Sequence, residues 1–489
     1  MPNPAEKGGS MNSLFPVITE FRLMPGSVLY STALGGILIG CPPEVLKALL
    51  AQHYPMPNTV VLPGTLLRGS SSQVCLEFPF YHFLFIQQGL AQGKKFKVLG
   101  ETSLLSKLEE MLRVTLTGPS LEEALGSEKR LGLPAFLDQT KVSAWAKETE
   151  RLALKGKDGH TLKVRELVDF IPLNVGDDRE VFPAVDDQPA VWVKRLGPDS
   201  FSCRSNGNEH SCDLVSEDPQ LPVYELTPVL VTAKEKKSLS AFNLRLLGTS
   251  EGFDPLRPAN GLLLRLQGKW FLWDCPSYLR LHLQAVGLHL DDIEGIFVSH
   301  VHEDHLEVAE TLTAGRRLKI YTSPEIFESM LVKVMALLNC GYKEALSHYE
   351  FVPLYADQPF DLFGATLEVF YSVHSIPALG LRLEVPQKKG QPKRLFVSGD
   401  QLSNSGVEKL VEAGVMDKVR KAQVDGRFLG HTYDAVFVDV GGGLIHGDPK
   451  DFFQRTDPVY YMHTGKTLND LPKGHQSVHP GQRVVIVPE

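Results

Sequence analysis

Cysteine, long apolar runs and excess positive charge are all scarce in this sequence of 489 residues. The six cysteines form no CxxC pair, which excludes a disulfide scaffold and fits a reducing compartment. No apolar run approaches the ~20 residues that a membrane-spanning helix needs. Lysine and arginine number 50 against 58 acidic residues, and this net charge of -8 disfavours a broad nucleic-acid surface. We therefore expect a soluble cytoplasmic protein without a membrane partner and without extended nucleic-acid binding.

Changes of composition along the chain predict four segments. Residues 1–20 lack an apolar core and are expected to form a flexible tail. Residues 21–156 alternate short apolar runs with helical patterns, as in an α/β domain that lacks metal ligands. Residues 157–238 are rich in Asp, Gly, Asn and Pro and carry β-type runs, which predicts a strand-rich segment or bridge. Residues 239–489 return to the α/β pattern, and the histidines described below make them the predicted catalytic domain.

The two α/β parts share a local sequence pattern. Residues 36–42 read GILIGCP and residues 270–276 read WFLWDCP. A helical pattern follows each of them, and then an apolar strand, at residues 60–63 and at residues 296–300. The second strand leads into histidines and the first does not. An ancient duplication whose N-terminal copy lost its site explains this pattern; the alternative is a chance likeness of short strand–turn–helix units.

Histidines concentrate in the second half of the chain, where 12 of the 16 follow residue 280. Residues 299–305 read SHVHEDH and follow an apolar strand. Burying four such side chains without partners would be costly, so a metal explains them better than packing or a solvated loop. His300 and His302 would bind one ion, and Asp304 and His305, past the turn, would bind a second. Imidazole and carboxylate together suit zinc, with iron or manganese as alternatives.

The pattern HxHxDH after a buried strand resembles the metallo-β-lactamase fold superfamily, over roughly residues 243–480. Further positions fit the same family: His374 in YSVH, Asp400 in SGD, His463 in YYMH, and Asp274 at an early strand end. The resemblance implies an α/β fold with a four-layer αββα sandwich in the C-terminal half. The N-terminal α/β half is then a candidate degenerate copy.

The resemblance also implies a dinuclear site that holds two divalent metal ions. Such a pair would hold a hydroxide at neutral pH and would bind the oxygens of a displacement. Asp274 is a candidate acceptor for the second N–H group of a histidine ligand. The implied ligands are His300, His302 and His374 for metal 1, Asp304, His305 and His463 for metal 2, and Asp400 as the bridge.

The start of the second half indicates which branch of this superfamily the sequence resembles. Residues 246–252, LLGTSEG, followed by an apolar strand and WDC at residues 273–275, resemble the phosphodiesterase branch, which includes ribonuclease Z and cyclic-nucleotide phosphodiesterases. The turn at residues 248–250 is expected to offer backbone N–H groups to a phosphate, with an ordinary tight turn as the alternative.

The proton donor of that branch has no direct counterpart here. The ribonuclease Z group carries a His-Glu pair on a late strand, whereas this sequence has Val438 and Asp439 at the matching place. His446 follows a glycine-rich turn a few residues later. Either His446 or Asp439 is the predicted general acid, with a surface-loop histidine as the alternative for His446. With Asp304, these two residues make up the predicted catalytic set.

A metal-dependent hydrolase of a small phosphodiester, with cyclic nucleotides first, is the function that these patterns favour. Two alternatives stay open: a thioester or lactone hydrolase of the same fold, and a diiron oxygen-binding sensor module. The aromatic run at residues 78–85 is typical of a core, and the alternative is a partner surface such as a homodimer contact.

Overall fold

The computed structural model describes residues 18–214, 221–428 and 430–489. Most of the predicted N-terminal tail, residues 1–17, therefore lies outside the described residues. Within the described ranges the chain forms a mixed α/β architecture, and no helix in them is both long enough and apolar enough to cross a bilayer.

The N-terminal half contributes strands and helices in alternation up to residue 172, then consecutive short strands. Its strands are β1 (Thr19–Met24), β2 (Ser27–Thr32), β3 (Gly35–Ile39), β4 (Pro57–Val61), β5 (Leu67–Arg68), β6 (Ser71–Ser72), β7 (Phe96–Gly100), β8 (Val168–Pro172), β9 (Asp178–Phe182), β10 (Val191–Arg195), β11 (Ser200–Ser205) and β12 (Asn208–Asp213). Its helices are α1 (Val45–Ala51), α2 (Glu77–Tyr81), α3 (Thr102–Leu116), α4 (Leu121–Leu131), α5 (Gln139–Leu152), α6 (Val164–Leu167) and α7 (Ala233–Lys237), with a π-helix at His82–Ile86.

The C-terminal half is built on longer sheets. Its strands are β13 (Phe242–Gly248), β14 (Gly261–Leu266), β15 (Lys269–Trp273), β16 (Ile293–Phe297), β17 (Leu318–Thr322), β18 (Tyr349–Pro353), β19 (Phe360–Leu362), β20 (Ala365–Ser372), β21 (Ala378–Val385), β22 (Lys393–Val397), β23 (Ala435–Asp439), β24 (Val459–Met462), β25 (His475–Ser477) and β26 (Arg483–Val487). Its helices are α8 (Leu279–Ala285), α9 (Val308–Thr311), α10 (Pro324–Leu337), α11 (Tyr342–Ser347), α12 (Asn404–Glu412) and α13 (Lys418–Asp425), with 3₁₀ turns at Leu290–Asp292, Gly426–Phe428 and Pro449–Phe452.

Two seven-stranded sheets form the C-terminal half, in the orders β18-β17-β16-β15-β14-β13-β26 and β19-β20-β21-β22-β23-β24-β25. Every residue of β13 and β14 is buried, as expected for strands covered on both faces. The largest apolar core joins residues of both sheets, and a smaller one lies under α12 and α13. The expected αββα sandwich is therefore confirmed.

The N-terminal half repeats the strand order of the first C-terminal sheet. Its sheet runs β1-β2-β3-β4-β7-β8, with antiparallel pairs up to β3 and parallel pairs from β3 onward. The C-terminal sheet has the same succession from β13 to β18, with the change of direction at β15. A separate antiparallel sheet, β12-β11-β10-β9, shares a buried core with the N-terminal sheet.

The two halves also share backbone conformations and hydrogen bonds at the ends of corresponding strands. Gly40 N–H donates to Val61 at 2.9 Å, as Asp274 N–H donates to Phe297 at 2.8 Å. Both donors have positive φ angles, and so do the residues that precede α1 and α8, Glu44 and Tyr278. These shared conformations favour duplication over chance likeness. Gly40 stands where the other copy has Asp274, and all described groups of His, Cys, Asp or Glu that are close enough to hold a metal lie in the C-terminal half.

Candidate metal centre

The predicted ligand loop leaves the carboxyl end of β16, at the edge where the parallel strands of this sheet end. Asp274, at the end of the adjacent β15, accepts a hydrogen bond from Ser299 N–H at 2.8 Å through Oδ1. The buried ammonium group of Lys333 on α10 donates to the carbonyls of Val301 and Leu306 at 2.8 and 3.3 Å. The loop is thus held from both sides, which fixes the direction of its side chains.

Three histidines converge on one point of this edge. His302 Nδ1 lies 3.1 Å from His300 Nε2 and 3.3 Å from His374 Nε2. His374 follows β20 of the second sheet, so the two sheets contribute to one cluster. Each of the three side chains is at least nine-tenths buried. The structure brings together the histidines that were predicted for metal 1.

The residues predicted for metal 2 lie beside this cluster. His463, after β24, has its Nε2 atom 3.2 Å from Asp304 Oδ2, and His305 Nε2 lies 3.9 Å from Asp304 Oδ1. The other ring nitrogen of His305, Nδ1, lies 2.7 Å from Asp274 Oδ2. Asp274 therefore accepts that N–H group, which leaves Nε2 directed at the cluster.

Asp400 lies between the two clusters. Its Oδ1 is 3.2 Å from His305 Nε2, and its Oδ2 is 3.8 Å from His300 Nε2 and 3.6 Å from His463 Nε2. Gly399 allows Asp400 to take this position. The φ angle of Gly399 is +60°, and a Cβ atom there would lie 2.1 Å from the carbonyl oxygen of Leu379. Only glycine fits this turn, which directs Asp400 inward.

Two buried ligand atoms at the centre of these clusters, His305 Nε2 and Asp400 Oδ1, lie 3.2 Å apart. Their geometry is not that of a hydrogen bond, and neither atom makes one elsewhere among the described residues. Leaving buried polar atoms unpaired is costly, and coordination to cations would satisfy them. The surrounding set of imidazole and carboxylate groups is the one that zinc, iron and manganese accept. These residues therefore fit two divalent cations; the identity of the metal remains a prediction.

The two clusters differ in their protonation. Burial lowers the pKa of His300 far below its usual value, that of His302 to about 3 and that of His374 to about 4. Burial would also lower the pKa values of His305 and His463, but Asp400 and Asp304 outweigh it and raise both. Without metal, the first cluster is therefore neutral and the second is a set of ion pairs.

Both predicted general-acid candidates lie next to Asp400. Asp439 ends β23 and accepts hydrogen bonds from the N–H groups of Gln401 and Gly441 at 3.0 and 2.8 Å. His446 Nδ1 lies 3.0 Å from Asp439 Oδ2 and 3.5 Å from Asp400 Oδ2. Burial would raise the pKa of Asp439, but His446 holds it well below the usual range. Asp439 in turn outweighs burial and raises the pKa of His446.

The N-terminal half supplies contacts that the sequence did not reveal. The carbonyl oxygen of Thr115, in the last turn of α3, accepts the Nε2–H group of His302 at 3.0 Å. Tyr81 donates its hydroxyl to the same carbonyl at 3.1 Å, and its ring meets the His302 ring edge to face. Glu77 and Glu303 exchange backbone N–H to carboxylate bonds at 3.1 Å. The aromatic run at residues 78–85 was the only available signal for this role.

Two of the backbone N–H groups in the turn at residues 248–250 are already engaged within the protein. Thr249 and Ser250 both donate to the carbonyl of Pro258 at 3.2 Å, so the expected phosphate contact is wrong for these two amides. Gly252 N–H instead donates to Asp304 Oδ2 at 3.2 Å. A Cβ at Gly252 would lie 2.0 Å from the ring of Phe78, so glycine lets the N-terminal half approach this ligand closely.

Comparison with known proteins points to one group of hydrolases. Residues 242–419 match the family described as anti-Pycsar protein Apyc1. The cGMP-dependent 3',5'-cGMP phosphodiesterase A of Dictyostelium discoideum is 28% identical over 160 residues, which are 32% of this chain and 18% of that protein. The cAMP/cGMP-dependent 3',5'-cAMP/cGMP phosphodiesterase B of the same organism is 25% identical over 438 residues, 78% of this chain and 38% of that protein.

Ribonuclease Z of Methanopyrus kandleri is a further relative, 28% identical over 162 residues that make up 32% of this chain and 54% of that protein. The chain thus spans well under half the length of the two Dictyostelium relatives. The predicted resemblance to the phosphodiesterase and ribonuclease Z branch is confirmed by these relatives.

Proposed function

We propose that this chain, which has the metallo-β-lactamase fold and matches the phosphodiesterase and ribonuclease Z branch of its hydrolases, cleaves a small phosphodiester, with 3',5'-cyclic nucleotides as the first candidates. The observation that carries the proposal is the pair of buried clusters on either side of Asp400, in which His305 Nε2 and Asp400 Oδ1 are buried without a hydrogen bond. When bound, two divalent cations would polarise the phosphate and lower the pKa of the attacking water.

The residues of the centre have two roles: some would bind the cations, and others orient those ligands. We assign His300, His302 and His374 to one cation, Asp304, His305 and His463 to the other, and Asp400 to both, since its carboxylate oxygens lie within 4 Å of histidines from both clusters. Asp274 and Thr115 fix the rings of His305 and His302 through their second nitrogen atoms. Preorganised ligands of this kind lower the cost of binding the cations.

We assign the proton transfer to His446. A leaving alkoxide needs a proton, and the best donor at neutral pH has a pKa near or above that pH. Asp439 is unsuited to donate because its carboxylate is held ionised by several donors, but it keeps His446 protonated and oriented. The Asp439–His446 pair would do the work that a His-Glu pair does in ribonuclease Z.

The preference for a small substrate rests on charge and on the site's N-terminal wall. The net charge of -8 opposes the capture of a long polyanion. Next to Asp304, the rings of Phe78 and Phe253 meet edge to face with centroids 5.1 Å apart. Aromatic groups beside a phosphate-binding centre can contact the base or another planar part of a small ester. The relatives named as cyclic-nucleotide phosphodiesterases support the same choice.

A substrate panel on metal-analysed protein tests this proposal. The full chain is loaded with zinc, manganese or iron and offered cyclic AMP, cyclic GMP, bis(p-nitrophenyl) phosphate, a tRNA precursor, an acyl thioester and a lactone. We expect hydrolysis of the cyclic nucleotides and of the nitrophenyl ester, and loss of both in His302→Ala. Turnover of the thioester or lactone alone would contradict the proposal, and tRNA cleavage alone would refute the small-substrate choice.

A further inference from the structure

A cleft of about 350 Å³ lies away from the metal centre, between helix α13, strands β20 and β21, and helix α5 of the N-terminal half. Phe370 and Tyr371 form part of its wall. Its volume is in the range of sites that bind small molecules. None of the predicted metal ligands lines it.

Cationic side chains outnumber acidic ones in this cleft. Its acidic lining residues, Asp357 and Glu368, are already paired with Arg382, whose Nη2 atom lies 3.2 and 2.9 Å from their oxygens. Lys141 lies 2.8 Å from a second oxygen of Asp357. Arg420 is held by Glu148 from outside this lining, through bonds of 2.8 and 3.1 Å. The two carboxylates of the cleft are thus already engaged by Arg382 and Lys141.

Arg427 has no carboxylate in contact; its guanidinium carbon lies 5.6 Å from the centroid of the Phe428 ring, and Asp451 and Asp425 act on it only at longer range. Its side chain is 8% exposed, and its Nε atom is buried without a hydrogen bond. Among the residues that the structure describes, no carboxylate oxygen lies within 4 Å of its guanidinium group. Burial lowers its pKa to about 10, so it is still a cation at neutral pH. A buried charge without an ion pair in contact is unfavourable, and an anion in the cleft would stabilise it.

We propose that this cleft binds a phosphate-bearing small molecule and that Arg427 is the principal partner of its phosphate. Guanidinium groups bind phosphate through paired N–H donors, and the side chains of Arg427 and Arg382 both line this cleft. Phe370 and Tyr371 supply apolar surface for the remainder of the ligand. The site is separate from the proposed active centre, and its existence does not depend on the reaction proposed above.

Isothermal titration of the full, metal-loaded chain with inorganic phosphate and, in a second series, with 5'-AMP tests the site. The wild type should bind two equivalents, one at the metal centre and one in the cleft. Arg427→Gln should weaken the second event about tenfold or more, because it removes a charge-assisted contact. The matched control is Arg394→Gln, whose arginine is paired with Glu384 outside the cleft and whose loss should leave both events unchanged.

A second variant keeps the test decisive if Arg427→Gln folds poorly. Gln423 is an exposed residue of the cleft wall, so Gln423→Glu should fold normally and weaken the same event by repulsion. Removal of an unpaired buried charge should also leave the melting temperature of Arg427→Gln at or above that of the wild type. The absence of any binding event in the wild type that Gln423→Glu and folded Arg427→Gln both weaken would overturn the proposal.

Discussion

His302 donates its Nε2–H group to the carbonyl oxygen of Thr115 at 3.0 Å, across 187 positions of the chain. A helix of the N-terminal half therefore orients a histidine that the C-terminal half directs at the metal centre. The N-terminal half, in which the described residues form no metal-binding group, is in this way a structural part of the candidate site. Its contacts with His302 and Asp304 lead to the first prediction.

Tyr81→Ala should weaken the binding of metal 1 and spare that of metal 2. The substitution removes the hydroxyl that shares the Thr115 carbonyl and the ring that packs on His302. Loss of such supporting groups costs about tenfold or more in metal affinity. Chelator competition on the full chain measures both affinities. Tyr81→Phe, which keeps the ring, should lie between the wild type and Tyr81→Ala; equal losses at both metals would contradict the assigned role.

Asp274→Asn should weaken the binding of metal 2 rather than that of metal 1. The carboxylate accepts the Nδ1–H group of His305, and an amide in its place fixes that ring less well. We expect a loss of roughly 10–100-fold in affinity. Asparagine tolerates the positive φ of this position, so the fold should survive. Asp434→Asn, at an ion pair with Lys393 far along the sheet, is the control. Unchanged metal 2 affinity would show that Asp274 only shapes the turn.

The affinities for the two metals should depend differently on pH. Burial lowers the pKa values of the metal 1 histidines, so they are already neutral between pH 6 and pH 8 and release no proton on binding. His305 and His463 have raised pKa values and must each lose a proton. Metal 2 affinity should therefore rise about tenfold per pH unit for each proton released, below those pKa values. Equal slopes for the two metals would contradict the assignment.

His446→Ala should slow substrates according to their leaving groups. An alkoxide needs the proton that we assign to His446, so cyclic-nucleotide hydrolysis should fall by about 10²–10⁴-fold. Bis(p-nitrophenyl) phosphate releases a stabilised phenolate and should lose far less. Because Asp439 raises the pKa of His446, the wild-type rate should decline as pH rises through that pKa, and the variant should lack this decline. Equal losses on both substrates would point to a binding role.

Most of the candidate ligands could be predicted from the sequence because they stand where an apolar run stops, or in the loop that follows it. His300, His374, Asp400 and His463 all follow strands, and the sheets bring those strand ends to one edge. Thr115 could not be found in this way, since a backbone carbonyl leaves no mark in the sequence and its partner is distant along the chain.

The pairing of strands that are distant along the chain could not be predicted from the sequence either. Residues 168–172, placed by composition in the strand-rich segment, form β8 and pair in parallel with β7 of the first sheet. Residues 222–226 and 228–232, which read PVYEL and PVLVT in the segment predicted to be strand-rich, form no strand. Their apolar side chains fit a strand, but strand formation also requires a partner edge, which the local sequence does not specify.

The most direct test of the proposed function is hydrolysis of a 3',5'-cyclic nucleotide by the full chain with its metal content measured in the same sample. We predict two divalent ions per chain, formation of a nucleoside monophosphate, and loss of turnover in His374→Ala without loss of the fold. Two bound ions with no turnover of cyclic nucleotides or of bis(p-nitrophenyl) phosphate would contradict the assignment of this centre to phosphodiester hydrolysis.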